Sequence, residues 1–307
     1  MAGPPDHSYC STVVTVVIPA HNEGMVIGRL LKGLIPAGSA PDLSIIVVAN
    51  GCTDNTVDIA RSYGDQVRVL CLPAASKRLA LAAGDHAAAG FPRLYVDADM
   101  ELALADVRAI EAELRRPGIL ATAPDRVIPL DGCSWPVRWY YDIWSRLPQV
   151  RAGLFGRGVI AVSEAGHQRL AALPPLLADD LAASLSFGPA ERSITTAATV
   201  IYHPPRTVAD LLRRRIRAVT GVAQIERTPQ APASTARTSP ADLLAILRAR
   251  PTLAPRVALF AGLTAAARLL ARRAVASGDY ATWLRDESSR RGAAPPATGP
   301  AAGRRSA

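Results

Sequence analysis

Residues 93–99 read RLYVDAD, and this stretch decides the fold. Leu94, Tyr95 and Val96 suit a short buried strand, and the run ends directly in two carboxylates, Asp97 and Asp99. Toward the N-terminus, 76–89 reads as a helix of good formers and 66–72 as a strand. Before them come a helix over 54–63 and a buried strand, LSIIVV, over 43–48. A helix carrying Met25, Val26, Leu30, Leu31 and Leu34 at helical spacing precedes that strand, with Asn22 as its expected cap. The first strand is the β-branched run TVVTVVI at 12–18, stopped by Pro19. Toward the C-terminus, 104–114 is another amphipathic helix. This alternation implies an α/β fold, a mostly parallel sheet with helices on both faces. Such sheets bind ligands beyond the carboxyl ends of their strands. Three loops fall there: 19–23, 49–54 and 97–99.

The second half is less regular. Strands are expected over 120–128, 158–162 and 194–202, and a helix capped by Ser163 follows the second. The segment 135–147 holds three of the four tryptophans and reads as a helix on the cleft wall. Helices over 206–219 and 241–250 flank a Ser/Thr/Pro-rich linker, and Pro255 opens a last helix to about 275. The expected organisation is a flexible N-terminus (1–11), a catalytic domain (12–221), a linker (222–240), a basic amphipathic helical region (241–290) and a disordered tail (291–307).

The formal charge of the 307 residues is +9, which first suggests nucleic acid or an anionic membrane. It is unevenly spread. Residues 1–205 hold 17 basic and 20 acidic side chains, whereas 206–307 hold 18 basic and 6 acidic. The acidic balance of the first part weakens the nucleic-acid reading, and no aromatics interleave with the arginines as a binding motif. Apolar residues make up 49%, enough for a sizeable core. The four cysteines, Cys10, Cys52, Cys71 and Cys133, lack C-x-x-C spacing, and buried free thiols in a reducing cytoplasm are expected. The opening residues lack the features of a signal peptide. The longest uncharged apolar run, 257–267, is shorter than the ~20 residues a bilayer span needs.

Four constellations carry chemistry. Asp97 and Asp99 at a strand end can reach one hard cation, which prefers oxygen ligands shared with phosphate. Asp179 and Asp180 are either favourable charges at a helix N-terminus or a repelling pair that leaves one as general base. Arg213, Arg214 and Arg217 share a helix face suited to phosphate, or to solvent or acidic lipid. Lys77 sits at a helix N-terminus, where anions bind.

Taken in order, these features resemble glycosyltransferase family 2, inverting enzymes of the GT-A fold. VVIPAHNE at 16–23 resembles the family's first strand and turn. VVANGCTDNT at 47–56 resembles its second, with Ala49 and Asn50 in place of two aspartates and Gly51 and Asp54 kept. SKRLALAAGDHAA at 76–88 resembles its Lys-x-x-Ala-Leu-Asn-x-Gly helix, with Ala82 replacing Asn. VDAD at 96–99 resembles the metal-binding D-x-D, and GLFGRGVIAVS at 153–163 the Gly-rich acceptor-side loop. ADD at 178–180 resembles the later Glu-Asp pair, and RRRIR at 213–217 loosely resembles the Gln-x-x-Arg-Trp region. The resemblance covers about 13–221.

The resemblance implies a nucleotide-diphosphate sugar donor and Mg²⁺ or Mn²⁺ on Asp97 and Asp99, with His203 as a further ligand. Asp180, beside Asp179, takes the catalytic-base position. Pro19, Ala20, Glu23, Asn50, Lys77 and Asp97 line the nucleotide-sugar pocket, and Arg214, Arg215 or Arg217 meets the diphosphate. Trp135, Trp139 and Trp144 either stack on sugar or lipid or pack the core. The acceptor class is carbohydrate or lipid-linked sugar, and the basic helices are expected on an anionic cytoplasmic leaflet. A nucleotidyltransferase should show a Gly-rich basic loop after the first strand, which HNEG at 21–24 does not provide. A non-catalytic nucleotide-sugar binder is the rival that Ala49 and Ala82 support and the three acids oppose.

Overall fold

The strand at 93–96 sits mid-sheet because both of its faces are covered. In the computed structural model, which describes residues 13–36, 42–173, 179–227 and 238–277, β4 (Arg93–Val96) pairs in parallel with β1 (Val14–Ala20). Leu94 and Val96 are fully buried, as is most of β1, so these strands read as continuous apolar runs rather than alternating ones. β2 (Leu43–Asn50) and β3 (Val67–Leu72) extend the parallel sheet, with Val14 opposite Leu43 and Ala20 opposite Ala49.

Beyond β4 the direction changes. β6 (Val159–Val162) runs antiparallel to β4 and to β5 (Ala121–Val127), and β7 (Arg192–Ile201) pairs in parallel with β5. The seven-stranded order is β3-β2-β1-β4-β6-β5-β7. The expected α/β architecture therefore holds, with the one reversed strand where the sequence alternation weakens.

Helices α1 (Ile27–Leu34), α2 (Thr56–Arg61), α3 (Lys77–Ala87) and α4 (Leu104–Leu114) follow the first four strands. α3 lies flush on the sheet because residue 84 is glycine: a Cβ there would come within 2.3 Å of Val17 Cγ1. Asn22 does not cap α1. That helix starts at Ile27 with no side-chain cap, while Asn22 takes φ 52° and accepts from the Thr53 N–H at 2.7 Å. Ser163 does cap, accepting from the Gly166 N–H at 3.2 Å.

α5 (Trp135–Trp144), α6 (Pro148–Ala152), α7 (Glu164–Ala171) and α8 (Asp179–Leu185) complete the first region. α9 (Val208–Arg227) runs past the boundary expected at 221. α10 (Pro240–Ala249) and α11 (Ala254–Ser277) follow. α11 packs on α5 and α9, and Leu253, Val257 and Phe260 join the main core. Phe260 stacks on Tyr140 with ring centroids 4.9 Å apart. The basic helices are thus docked on the α/β domain.

Residues 251–272 contain an 18-residue window of mean hydropathy 1.4 and are long and apolar enough to cross a membrane, by length and composition alone. Isolated arginines break this stretch in the sequence, so the uncharged run within it is shorter. Cys52 and Cys133 are half-buried and Cys71 is exposed, which corrects the expectation of buried thiols; none of the three is in a disulfide. Cys10, both expected disordered ends and most of the 228–240 linker lie outside the described residues.

Candidate active site

The first two loops are knitted to each other before they can meet a ligand. Asn50 Nδ2 donates to the Ala20 carbonyl at 2.8 Å, and His21 Nδ1 lies 2.7 Å from the Asn50 carbonyl. Asp54 accepts from the Gly24 N–H at 3.0 Å and from Thr56 Oγ1 at 2.5 Å. Burial pushes the Asp54 carboxyl up, but the Thr56 and Gly24 hydrogen bonds hold it below its ordinary value. Gly51 makes the turn at φ 60°, where a Cβ would meet the Ala75 backbone nitrogen at 2.8 Å. Asn50 is only 3% exposed, and Ala20 and Glu23 are also buried. The Asn50 amide is thus a strut between β1 and β2. Pro19 is half-buried at the same strand end.

The charged centre forms where β4, α3 and α9 meet. Ser76 caps α3, accepting from the Leu79 N–H, and so fixes Lys77 at the first turn. Lys77 Nζ lies 2.8 Å from Asp97 Oδ1. Burial raises the Asp97 carboxyl, but Lys77, then Arg217 and Arg214, outweigh it and hold the group below the usual carboxylate range. Burial and Arg214 lower the pKa of the Arg217 guanidinium, while Asp97, Asp180 and Asp99 oppose that shift. Three acids from two motifs therefore act on one arginine. Asp180 Oδ2 accepts from the Gly156 N–H at 2.9 Å, and Oδ1 from the Leu181 N–H at 2.8 Å. Asp179 opens α8, and its side chain lies outside those described.

The arginines of α9 separate by direction. Arg213 pairs with Asp210 at 2.5 Å, and Arg214 lies 4.4 Å from the Tyr202 ring centroid. Arg215 lies over buried Tyr140 at 5.9 Å, on the α5 side, whereas Arg217 and Arg214 act on the Asp97 carboxylate. His203 Nε2 is 2.6 Å from Glu101 Oε1, and Arg29 is 3.5 Å from the same oxygen. Among the described residues no group of three or more His, Cys, Asp or Glu gathers as a metal cluster, and His203 rests on Glu101. The Asp97 and Asp99 pair still suits a small hard cation, which takes one or two carboxylates and completes its shell with phosphate and water.

Sequence reasoning missed Arg157. It is 1% exposed, yet its guanidinium donates to the Gly153, Pro124 and Arg151 carbonyls and to Asp125. An arginine between two glycines, Gly156 and Gly158, was the available signal. Arg126 works beside it, donating to the Val150 and Gly156 carbonyls under the Trp144 ring. Burial, with Arg157 adding to it, lowers Arg126 to about 9. The two arginines brace the loop that presents Gly156 to Asp180.

Residues 15–159 match the family model described as glycosyl transferase family 2. An uncharacterized glycosyltransferase of Mycobacterium tuberculosis is 35% identical over 123 residues, covering 40% of this chain and 52% of that protein. The chain thus spans about half the length of this curated relative. A solved mannosyltransferase from Pyrobaculum calidifontis, in complex with GDP-Man and Mn²⁺, matches with TM-score 0.56 and 19% identity, over 90% of this chain and 81% of that one. Glucosyl-3-phosphoglycerate synthase from Mycobacterium tuberculosis, solved with Mn²⁺, UDP and glucosyl-3-phosphoglycerate, matches with TM-score 0.52 and 19% identity, over 69% of this chain and 78% of that one. The fold is GT-A, and residues 15–159 match glycosyltransferase family 2.

Proposed function

We propose that this chain moves a sugar from a nucleotide-diphosphate sugar to an acceptor hydroxyl in one displacement, with inversion. The observation that carries the proposal is that Asp97, Asp99 and Asp180 face the same guanidinium, Arg217. Asp180 takes the proton from the acceptor hydroxyl. The backbone N–H donors on its two oxygens orient the carboxylate and leave lone pairs for that proton. The hydroxyl oxygen attacks the anomeric carbon as the bond to the diphosphate breaks, and no enzyme nucleophile is needed. Lys77, Arg214 and Arg217 offset the charge that grows on the leaving diphosphate. Asp97 and Asp99 would hold Mg²⁺ or Mn²⁺, which when bound supplies further charge neutralisation to the diphosphate. The Mn²⁺ in the two solved neighbours supports that reading. Pro19, Ala20 and Glu23 shape the nucleotide end of the cleft, and Asn50 holds that edge in place.

The reaction belongs in the cytoplasm, in polysaccharide, glycolipid or cell-envelope synthesis, with a carbohydrate or lipid-linked acceptor. The outer faces of α10 and α11 expose Leu244, Leu269 and Leu270 beside Arg248, Arg268 and Arg272. That combination suits an anionic leaflet. A thermal-shift panel of nucleotide sugars, with and without Mn²⁺, tests the donor class. One donor should raise the midpoint, and Mn²⁺ should increase that shift. A flat response to every donor would remove the proposal.

A further inference from the structure

One side of α5 is turned away from the core and lines a groove of about 980 Å³. Trp135, Arg138, Trp139 and Asp142 recur at i, i+3, i+4 and i+7, so one face of α5 forms its wall, with Arg146 just past the helix end. Trp135 is 60% exposed and packs edge-on against Trp139, with ring centroids 4.9 Å apart. Exposing an indole to that extent removes little apolar surface from water, so core packing does not explain its place.

The charges in the groove are unbalanced. Asp142 is held by Arg146 at 2.8 Å and by Arg256 from α11, two cations on one carboxylate. At the floor, Arg157 is matched by Asp125, and both floor arginines spend their donors on backbone carbonyls. Arg138 and Arg151 are exposed and, among the described residues, carry no ion pair. The groove therefore offers guanidinium forks without carboxylates, next to flat aromatic rings. Guanidinium forks bind phosphate or carboxylate in two-point fashion, and indole faces stack on sugar rings.

The groove floor is also linked to the proposed base through a residue behind it. Gly156 donates its N–H to Asp180 and accepts from Arg126 through its carbonyl, each at 2.9 Å. One residue thus joins the groove floor to the catalytic carboxylate.

We infer that this groove binds the acceptor, and that the acceptor is a sugar carrying an anionic group such as a phosphate. This rests on the transfer reaction proposed above. The test uses the full chain and follows tryptophan fluorescence while glucose 6-phosphate, glucose and an alkyl glucosyl phosphate are titrated separately. A saturable change is expected with the phosphorylated sugars, about tenfold tighter than with glucose. A preference for the alkyl ester over glucose 6-phosphate assigns the phosphate to a lipid-linked acceptor, and the reverse to a free one. The Arg138→Ala/Arg151→Ala double variant should weaken binding of the phosphorylated sugars about tenfold. Its thermal shift with nucleotide sugars should stay at the wild-type value. No saturable response, equal affinity for glucose, or an unchanged double variant would each overturn the inference. Loss of donor stabilisation in the wild type alone would instead remove the transfer reaction, so the two failures are distinguishable.

Discussion

Arg157 and Arg268 carry the same guanidinium and meet opposite surroundings. Arg157 is 1% exposed and is matched donor by donor with carbonyls and Asp125. Arg268 stands on the outer face of α11, exposed. The contrast extends to the regions they represent. Residues 1–205 carry net charge −3 and residues 206–307 net +12. In the first region, charge is placed: Lys77 on Asp97, Arg93 on Asp85, Arg169 on Glu191. On α10 and α11 much of it is displayed, with Arg248, Arg250, Arg268 and Arg272 all exposed. The same residue type therefore does structural work in one region and surface work in the other. The overall +9 describes neither.

The largest expected effect breaks the comparison at the acids. Asp180→Asn should cut transfer by about 10³-fold or more, because proton removal is lost while shape is kept. Donor binding, read by thermal shift, should persist. Turnover near the wild-type rate would show that Asp180 is not the base. Asp99→Ala should cut transfer as deeply and also abolish the extra Mn²⁺-dependent shift.

Next in size is the difference between the two arginine populations. Arg157→Ala orphans several buried carbonyls and should cost about 3 kcal/mol of unfolding free energy. Arg250→Ala, on an exposed position, should stay within about 0.5 kcal/mol of wild type. Urea denaturation of both variants measures this directly. Equal losses would mean that Arg157 is not the brace described.

The parts that could be read ahead were those set by local pattern. β4 and α4 fall on the expected residues 93–96 and 104–114, because a buried run and an amphipathic period declare themselves. What escaped was set by distant partners. The reversal of β6 depends on its register with β4, Val96 opposite Val159, and no local signal encodes that. The partner of His203, Glu101, lies 102 residues away in sequence. The strut from Asn50 to Ala20 likewise spans 30 residues. The end of α9 was missed because no Gly or Pro stops it before Arg227 except Gly221, which the helix absorbs. The site acids were legible by motif. Their convergence on Arg217 needed the fold.

A smaller effect tests the displayed charges. The chain should sediment with phosphatidylglycerol vesicles and not with phosphatidylcholine vesicles. Leu269 is 63% exposed, so Leu269→Glu combined with Arg268→Glu removes one apolar and one cationic contact and adds repulsion. Partitioning should fall about fivefold or more, near the ~1 kcal/mol expected per basic residue at an anionic surface. Unchanged partitioning in that variant would leave α11 without a membrane role.

The smallest effect separates the regions by pH. His167 packs against Asp85, Arg93 and Tyr95, with Nδ1 2.9 Å from the Tyr95 hydroxyl and Nε2 3.3 Å from Arg93 Nη1. Burial lowers its pKa, Asp85 works against that, and Arg93 adds to it, so the net direction is down. The folded chain therefore binds this proton less readily than the unfolded chain. The stability His167 contributes is complete above its unfolded value of about 6.5, and it is lost as pH falls through the lower folded value. Asp54 and Asp97 shift in the same direction but titrate near or below about 4, outside that window. The displayed arginines do not titrate there at all. Urea midpoints taken at about pH 7.5 and about pH 5 should fall together for the wild type by under ~1 kcal/mol, and His167→Gln should remove most of that drop. An equal drop in the variant would move the acid sensitivity out of this network. A drop confined to the wild type would mean that the first region, with its paired charges, sets the response to pH, and that the arginine-rich helices are indifferent to it.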